Sequence, residues 1–378
     1  MSEWQNFKLR EVGTLQRGRS RHRPRYAFHL FNGPYPFIQT GEVREARKYV
    51  STFENTYSEA GLAQSKLWPK GTLCITIAAN IAELAILGFD ACFPDSVLGF
   101  IPDETRSDLD FVYYTLTHFQ KQLKHIGEGS VQDNINLGTF EDIEFPFPSL
   151  TEQKAIASVL SSLDDKIDLL HRQNKTLEAM AETLFRQWFI EDTEGRTELI
   201  TLGEMIEIHD SKRIPLSKLE RDKKKNGSIM YPYYGAAKVM DYVDDYIFDG
   251  DYLLLGEDGT VQDENGYPIL QRANGKFWVN NHAHVLSAKA PYNNFFLWCL
   301  LSKTNIEKAV TGAVQPKINQ ENLRKLDFVK FDESKVLDFN DITSSMLNKL
   351  NTNNSQIQTL ENLRDTLLPK LMSGEVRV

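Results

Sequence analysis

GSVQDNIN at residues 129–136 returns as GAVQPKIN at residues 312–319, 183 positions along the chain. The same shift carries Thr176-Leu177-Glu178 onto Thr359-Leu360-Glu361 and Thr183-Leu184 onto Thr366-Leu367. Upstream, KLREV (8–12) resembles TLGEM (201–205) at a shift of 193, so the halves differ by loop insertions and deletions. Solenoid repeats recur every ~20–50 residues. This period is far longer and reads as a duplicated domain plus its connecting helix. The 378 residues are about 2.5 times the usual single-domain length and fit two or three domains.

Each half reads alike. A mixed α/β segment covers 1–150 and another covers 195–332, with short strands expected at YPFIQ, GTLCITI, DYLLL and HAHVLSA. FVYYTLTHFQKQLKHI and NFFLWCLLSKTNIEKAV carry the spacing of helices about four turns long. LCITIAANIAELAIL (73–87) is too short and polar to span a bilayer and reads as a buried strand followed by a turn or short helix. A long polar-periodic helix closes each half: a central spacer helix with its linker over 151–194, and a C-terminal spacer helix over 333–378.

The long helices carry a heptad seam. Leu163, Ile167, Leu170, Asn174, Leu177, Ala181, Leu184 and Trp188 step alternately by four and three residues, the 3.5-residue period of a coiled coil. Adding 183 gives Met346, Leu350, Asn353, Ile357, Leu360, Arg364, Leu367 and Leu371. The expected fold is therefore α+β, with two similar domains linked by two long antiparallel coiled-coil helices in pseudo-twofold symmetry. A helix of ~40 residues spans ~60 Å and would act as a ruler. Asn174 and Asn353 either face each other and fix the register of the seam, or lie at its solvated edge.

Composition narrows the chemistry. Apolar residues are 41% and charged residues 25%, an ordinary globular balance, and the net charge of −9 argues against coating nucleic acid by bulk charge. Cys74, Cys92 and Cys299 are scattered without ligand spacing, which fits a reducing cytoplasm. No phosphate-binding GxxxxGK[ST] loop and no GxGxxG after a strand occurs. His282 and His284 would share one face of a strand as half a metal site, with no third ligand evident. Asp164-Asp165-Lys166 and Asp222-Lys223-Lys224 resemble nuclease fragments, which a solvated charged face explains equally. No catalytic set emerges.

Positive charge is local. RGRSRHRPR (17–25) holds Arg17, Arg19, Arg21, Arg23 and Arg25 in a loop, where arginine forks onto phosphates or guanine edges. The second half offers SKRIPLSK (211–218), with Lys212 and Arg213, and then RDKKKN (221–226); Lys238 follows. A solvated surface loop is the plainer alternative, but five arginines in nine residues without a carboxylate favour an anionic partner. Gln132 and Asn134, with Gln315 and Lys317, occupy matching loops; Gln and Asn read adenine edges, and a turn role fits them as well. Nine carboxylates and no Lys or Arg lie between Asp241 and Glu264, a stretch that should avoid DNA or meet a basic surface.

PSLTEQKAIASVLSSLDDKIDLLHRQNKTLEAM (148–180), LLPKLMSGEVRV (367–378), the LREV/LGEM starts and the repeated loop pair together resemble the specificity subunit of a type I restriction-modification system. The resemblance covers the whole length. It implies two target recognition domains, each reading half of a split DNA sequence, with helices that space them and dock two methyltransferase subunits. Motor-nuclease subunits would join for cleavage. It also implies a cytoplasmic, membrane-free, non-catalytic subunit that binds no cofactor itself, with S-adenosylmethionine, ATP and Mg on its partners. A stand-alone DNA-binding scaffold or regulator is the alternative. Two positions depart from the pattern: Arg10 stands where the second copy has Gly203, and Glu152-Gln153 meet Lys335-Val336.

Overall fold

The computed structural model describes residues 4–378 apart from 23, 25, 79, 129–139, 141, 192–196, 228 and 313–314. The chain forms two compact units, residues 1–169 with 356–378, and residues 170–355.

The first unit is built on a five-stranded sheet of β1 (Gly13–Arg17), β2 (Tyr49–Val50), β3 (Leu73–Thr76), β4 (Leu84–Leu87) and β5 (Val97–Pro102), in the spatial order β1-β5-β3-β4-β2. The first three junctions are antiparallel and the last is parallel. A four-stranded sheet, Asn55–Tyr57, Phe31–Phe37, Ala91–Cys92 and Leu67–Trp68, lies beside it. The LCITIAANIAELAIL run is a hairpin of β3 and β4 and holds no helix, because its β-branched and apolar ends are buried on both faces and the Thr76 hydroxyl takes the Glu83 amide at 2.9 Å to close the turn.

The second unit repeats this plan. Its strands β6 (Ile206–Ile208), β7 (Tyr231–Tyr234), β8 (Val239–Val243), β9 (Phe248–Gly256), β10 (Leu270–Val279) and β11 (Ala283–Ala288) lie in the order β6-β11-β9-β10-β7-β8. Up to β7 the order and the strand directions match the first unit, three antiparallel junctions and then a parallel one; β8 is an added edge.

Entry and exit are duplicated too. Gln5–Lys8 pairs with Glu144–Phe147, and Leu199–Thr201 pairs with Asp327–Val329, so each domain is clasped just before its long helix. LREV and LGEM each form a single helical turn, stapled by the Lys8 amide on Glu11 at 2.7 Å and the Thr201 amide on Glu204 at 2.8 Å. The repeated sequence thus encodes a capping box.

The helix α1 (Leu109–Glu128) is longer than expected. Its counterpart α3 (Asn294–Leu301) is shorter: it ends at the polar Ser302-Lys303-Thr304-Asn305 run, where the Thr304 hydroxyl folds back on the Leu300 carbonyl at 2.6 Å. The spacer helices are α2 (Leu150–Phe185), continued by a π turn over Arg186–Glu191, and α4 (Glu333–Met372).

Each unit takes in parts of both long helices. The core of the first unit joins Phe100, Phe111 and Phe147 to Ile156 and Leu160 of α2 and to Leu371 and Met372 of α4. The core of the second joins Leu253, Leu286 and Phe296 to Ala181 and Phe185 of α2 and to Val336, Phe339 and Leu350 of α4. The two helices run antiparallel within each. In the second unit Asn174 meets Asn353 while Phe185 meets Phe339, with ring centroids 5.7 Å apart.

Every seam position is removed from solvent to some degree: Ile167, Leu170, Asn174, Leu350, Asn353 and Ile357 are buried, and Leu163, Leu177, Leu184, Leu360 and Leu367 half-buried. The two asparagines face each other. Asn353 Nδ2 donates to Asn174 Oδ1 at 2.8 Å, and Asn174 Nδ2 donates to Asn354 Oδ1 at 2.7 Å. In the first unit Arg364, a charge in an apolar stripe, is matched by Asp164 at 2.8 Å, which also accepts from the Tyr114 hydroxyl at 2.5 Å.

Candidate nucleic-acid interface

In the first domain the arginine segment leaves β1 and folds over the short helix Glu59–Gln64. Arg17 closes β1, and its Nε donates to the Asp95 carbonyl at 2.6 Å. Arg19 donates from Nε and Nη2 to the Ser65 carbonyl at 2.9 and 2.6 Å. These partners are neutral main-chain oxygens. Arg21 is exposed. Lys66, unsignalled in the sequence, sits over the Trp68 ring at 3.6 Å. Partial burial, and then the neighbouring Arg19 charge, hold its ammonium below the ordinary lysine range. Two cations that crowd each other make a place that favours an anion.

The matching segment of the second domain is equally basic but bound to carboxylates. Arg221 pairs with Asp241 at 3.0 Å, Lys224 with Asp245 at 2.9 Å, and Lys225 with Asp241 at 2.9 Å and Asp222 at 3.1 Å. Hydrogen bonds donated to Asp241 and then Asp222 hold the Lys225 ammonium above its ordinary range. The acidic stretch from Asp241 therefore meets a basic surface inside its own domain. Asp244 adds hydrogen bonds from the Asn226 and Gly227 amides at 3.3 and 3.1 Å. The basic segment is thereby laid along β8 and covers an edge strand that would otherwise be open.

A second cluster fixes the remaining loops of this domain. Buried Asp210 faces His284 Nδ1 at 2.6 Å and accepts from Gln320 Nε2 at 2.7 Å and the Val285 amide at 2.9 Å. The other nitrogen of His284 lies 2.9 Å from the Ile318 carbonyl. Arg213 reaches Glu257 at 2.5 Å and Asp210 at 3.5 Å, and Lys317 reaches Glu257 at 3.5 Å. Burial pushes the Asp210 carboxyl up, but His284, the Val285 amide and Arg213 outweigh it and hold the group below the usual carboxylate range. Three loops, around 210–213, 257–260 and 315–320, are thus tied into one block.

Asp210, Glu257 and His284 have the side-chain types of a metal site, with ligand atoms within 4.8 Å of one another. Arg213 and Lys317 already pair with the two carboxylates, and both ring nitrogens of His284 are engaged by Asp210 and the Ile318 carbonyl, so the donor set does not fit a cation. His282, expected on the same strand face, lies in the turn before β11, exposed and 2.5 Å from Asp258. His284 alone points inward.

The model of the type I restriction modification DNA specificity domain matches residues 1–179 and 195–329. The chain belongs to that family. The matched range takes in both domains and most of α2. Among curated relatives, the type I restriction enzyme MjaIX specificity subunit of Methanocaldococcus jannaschii is 24% identical, over 100% of this chain and 94% of its own. The EcoprrI specificity subunit of Escherichia coli is 22% identical over 86% and 82%. The crystal structure of the type I restriction-modification S subunit from M. genitalium matches with a TM-score of 0.63 at 19% identity, covering 98% of this chain and 96% of that one.

In this specificity subunit the expected DNA contacts fall into three groups. Arg17, Arg19 and Arg21 gather in one segment of the first domain. In the second domain Lys212 and Lys238 are exposed on turns, Gln315 is exposed, and Lys317 is about half exposed beside Glu257; Arg213 is committed to carboxylates and to the Ala283 carbonyl at 2.8 Å. Arg23, Arg25, Gln132 and Asn134 lie outside the described residues. The second copy of the repeated loop has a structural part as well. Ile318 receives His284, and Asn319 caps the helix Gln320–Arg324 through the Asn322 amide at 2.7 Å. Among the described residues no helix is long and apolar enough to cross a membrane.

Proposed function

We propose that this chain is the non-catalytic subunit that carries the address of a type I restriction-modification complex. Each domain reads one half of a bipartite target in double-stranded DNA. One observation carries the reading: a single strand order, entry motif and long helix occur twice in a chain that belongs to a DNA specificity family. Two copies of one reader suit a target with two halves.

On this reading phosphate contacts from arginine and lysine position the complex, and contacts to base edges specify it. The long helices set the number of unread base pairs between the halves, which lie roughly 34 Å apart when one helical turn separates them. The asparagine layer holds the helices in one register, and so holds that spacing. Two methyltransferase subunits dock on the helices, and motor-nuclease subunits join for cleavage. S-adenosylmethionine, ATP and Mg are bound by those partners in the cytoplasm.

The test is to map methylated adenines in DNA from cells that carry the chain with a cognate methyltransferase. Two short specified blocks separated by a fixed unspecified gap are expected. A continuous site, or methylation unchanged when the chain is deleted, would refute the reading; sequence-specific binding with no methyltransferase association would favour a stand-alone DNA-binding scaffold.

A further inference from the structure

Tyr26 and Phe28 are the most exposed large apolar side chains among the described residues, at 75% and 84%. They sit on a turn whose base is held at both ends by one short helix and its flanks. On the way out, Arg19 and Ser65 exchange hydrogen bonds, and the His22 amide donates to Gln64 Oε1 at 2.9 Å. On the way back, the Ser58 hydroxyl donates to the His29 carbonyl at 2.7 Å and the Ser58 amide to the Leu30 carbonyl at 2.8 Å. The His22 and His29 rings meet edge to face at 4.9 Å across the neck. Leu30 is buried beneath, and Gly61 leaves room for the turn: a Cβ there would lie 2.2 Å from the Leu30 carbonyl. The anchoring is firm: Tyr26 stacks on Phe31 with ring centroids 6.5 Å apart, while the Phe28 ring stays exposed.

An exposed ring on an anchored tip needs an occupant. Arg17, Arg19, Arg21 and Lys66 surround the base of this segment with positive charge, so the complementary partner is anionic. A partner that is both anionic and offers flat stacking faces is nucleic acid. We propose that Phe28 is a wedge: its ring inserts between adjacent base pairs of the half-site read by the first domain. This rests on the reading of the first domain as a DNA reader and adds a deformation of the duplex to it. Among the described residues of the second domain, Ile214, Leu219 and Ile229 are the exposed apolar residues of the corresponding loops, and the exposed aromatics Tyr242 and Tyr246, at 45% and 37%, lie on β8 and the turn after it and not on a tip of that segment, so the distortion belongs to one half-site only.

The test uses the complex of the full chain with its methyltransferase subunits, bound to a duplex carrying the mapped target. Single 2-aminopurine substitutions are placed through the half-site of the first domain. Wild type should give a severalfold rise in emission at one base step, and Phe28→Ala should abolish it while weakening binding about tenfold. Phe28→Trp should retain both, and thermal melting of both variants should match wild type because the side chain is exposed. A rise at the methylated adenine that persists in Phe28→Ala belongs to the methyltransferase and serves as the control. If the complex prefers its target but no other step brightens, or the rise survives Phe28→Ala, the wedge is overturned and the two-reader proposal stands. A complex with no preference for the target overturns both.

Discussion

The segment that follows the first sheet strand is basic in both domains, yet the charge is held in opposite ways. In the first, Arg17 and Arg19 lean on carbonyl oxygens and Arg19 crowds Lys66. In the second, Arg221, Lys224 and Lys225 rest on Asp241, Asp245 and Asp222. One strand order therefore supports two electrostatic designs. The first domain rests Arg17 and Arg19 on main-chain carbonyls; the second uses its charge to fasten loops and to cover a sheet edge. A net charge of −9 is compatible with DNA binding because cations cluster locally, as at Arg17, Arg19, Arg21 and Lys66, and several carboxylates of the second domain pair with its own cations.

The largest expected effect comes from breaking the loop block of the second domain. Asp210→Ala leaves His284 buried without its partner and should cost about 3–5 kcal/mol, seen as a lower midpoint in chemical denaturation. Because the folded Asp210 carboxyl is held below its ordinary value, its contribution is present above about pH 4 and is lost as pH falls through that lowered value. Asp210→Asn should flatten this acid dependence. An unchanged midpoint would show that the loops are held by something else.

The next effect separates the two basic segments. Replacing Arg17, Arg19 and Arg21 together with Ala should reduce the salt dependence of DNA binding by roughly two to three contacts' worth, near 0.9 in slope for each. The same treatment of Arg221, Lys224 and Lys225 should reduce it by less than about one. Equal slopes for the two triples would break the comparison. A smaller effect concerns the seam, where one unit uses an ion pair and the other an amide pair. Asn174→Ala leaves Asn353 buried without its acceptor and should cost about 1–3 kcal/mol, whereas Asn174→Leu with Asn353→Leu should restore or raise stability at the expense of register. Smallest of all, Asp241→Asn with Asp245→Asn frees half-buried Arg221 and Lys224 and exposed Lys225, surface pairs worth about 0–1 kcal/mol each, and non-specific DNA affinity should rise by about two- to fivefold.

Much of the fold could be read from periodicity. The 183-residue repeat and the 3.5-residue seam place both long helices, and LREV and LGEM place the two domain starts, because capping boxes and heptads are local codes. Contacts distant in sequence were not visible in the same way. Nothing local tells that Arg213 is drawn to Glu257, 44 residues away, or that RDKKKN lies against the carboxylates of β8 and its following turn. LCITIAANIAELAIL reads as a strand followed by a turn or a short helix because Ala-rich apolar runs suit either; burial on both faces of a sheet decides for the turn and adds the second strand of a hairpin. NFFLWCLLSKTNIEKAV overstates its helix because apolar spacing continues past a polar break. Phe28 carried a signal that charge counting passes over, an aromatic residue three positions after the arginine run.

The central claim is that two copies of one reader address two halves of one target. It is tested most directly by a chimaera in which residues 195–332 are replaced by those of a relative with another target, followed by mapping of methylated adenines. The account predicts that one half of the recognised sequence changes while the other half and the gap between them stay as they were. Change in both halves, or in neither, would contradict it.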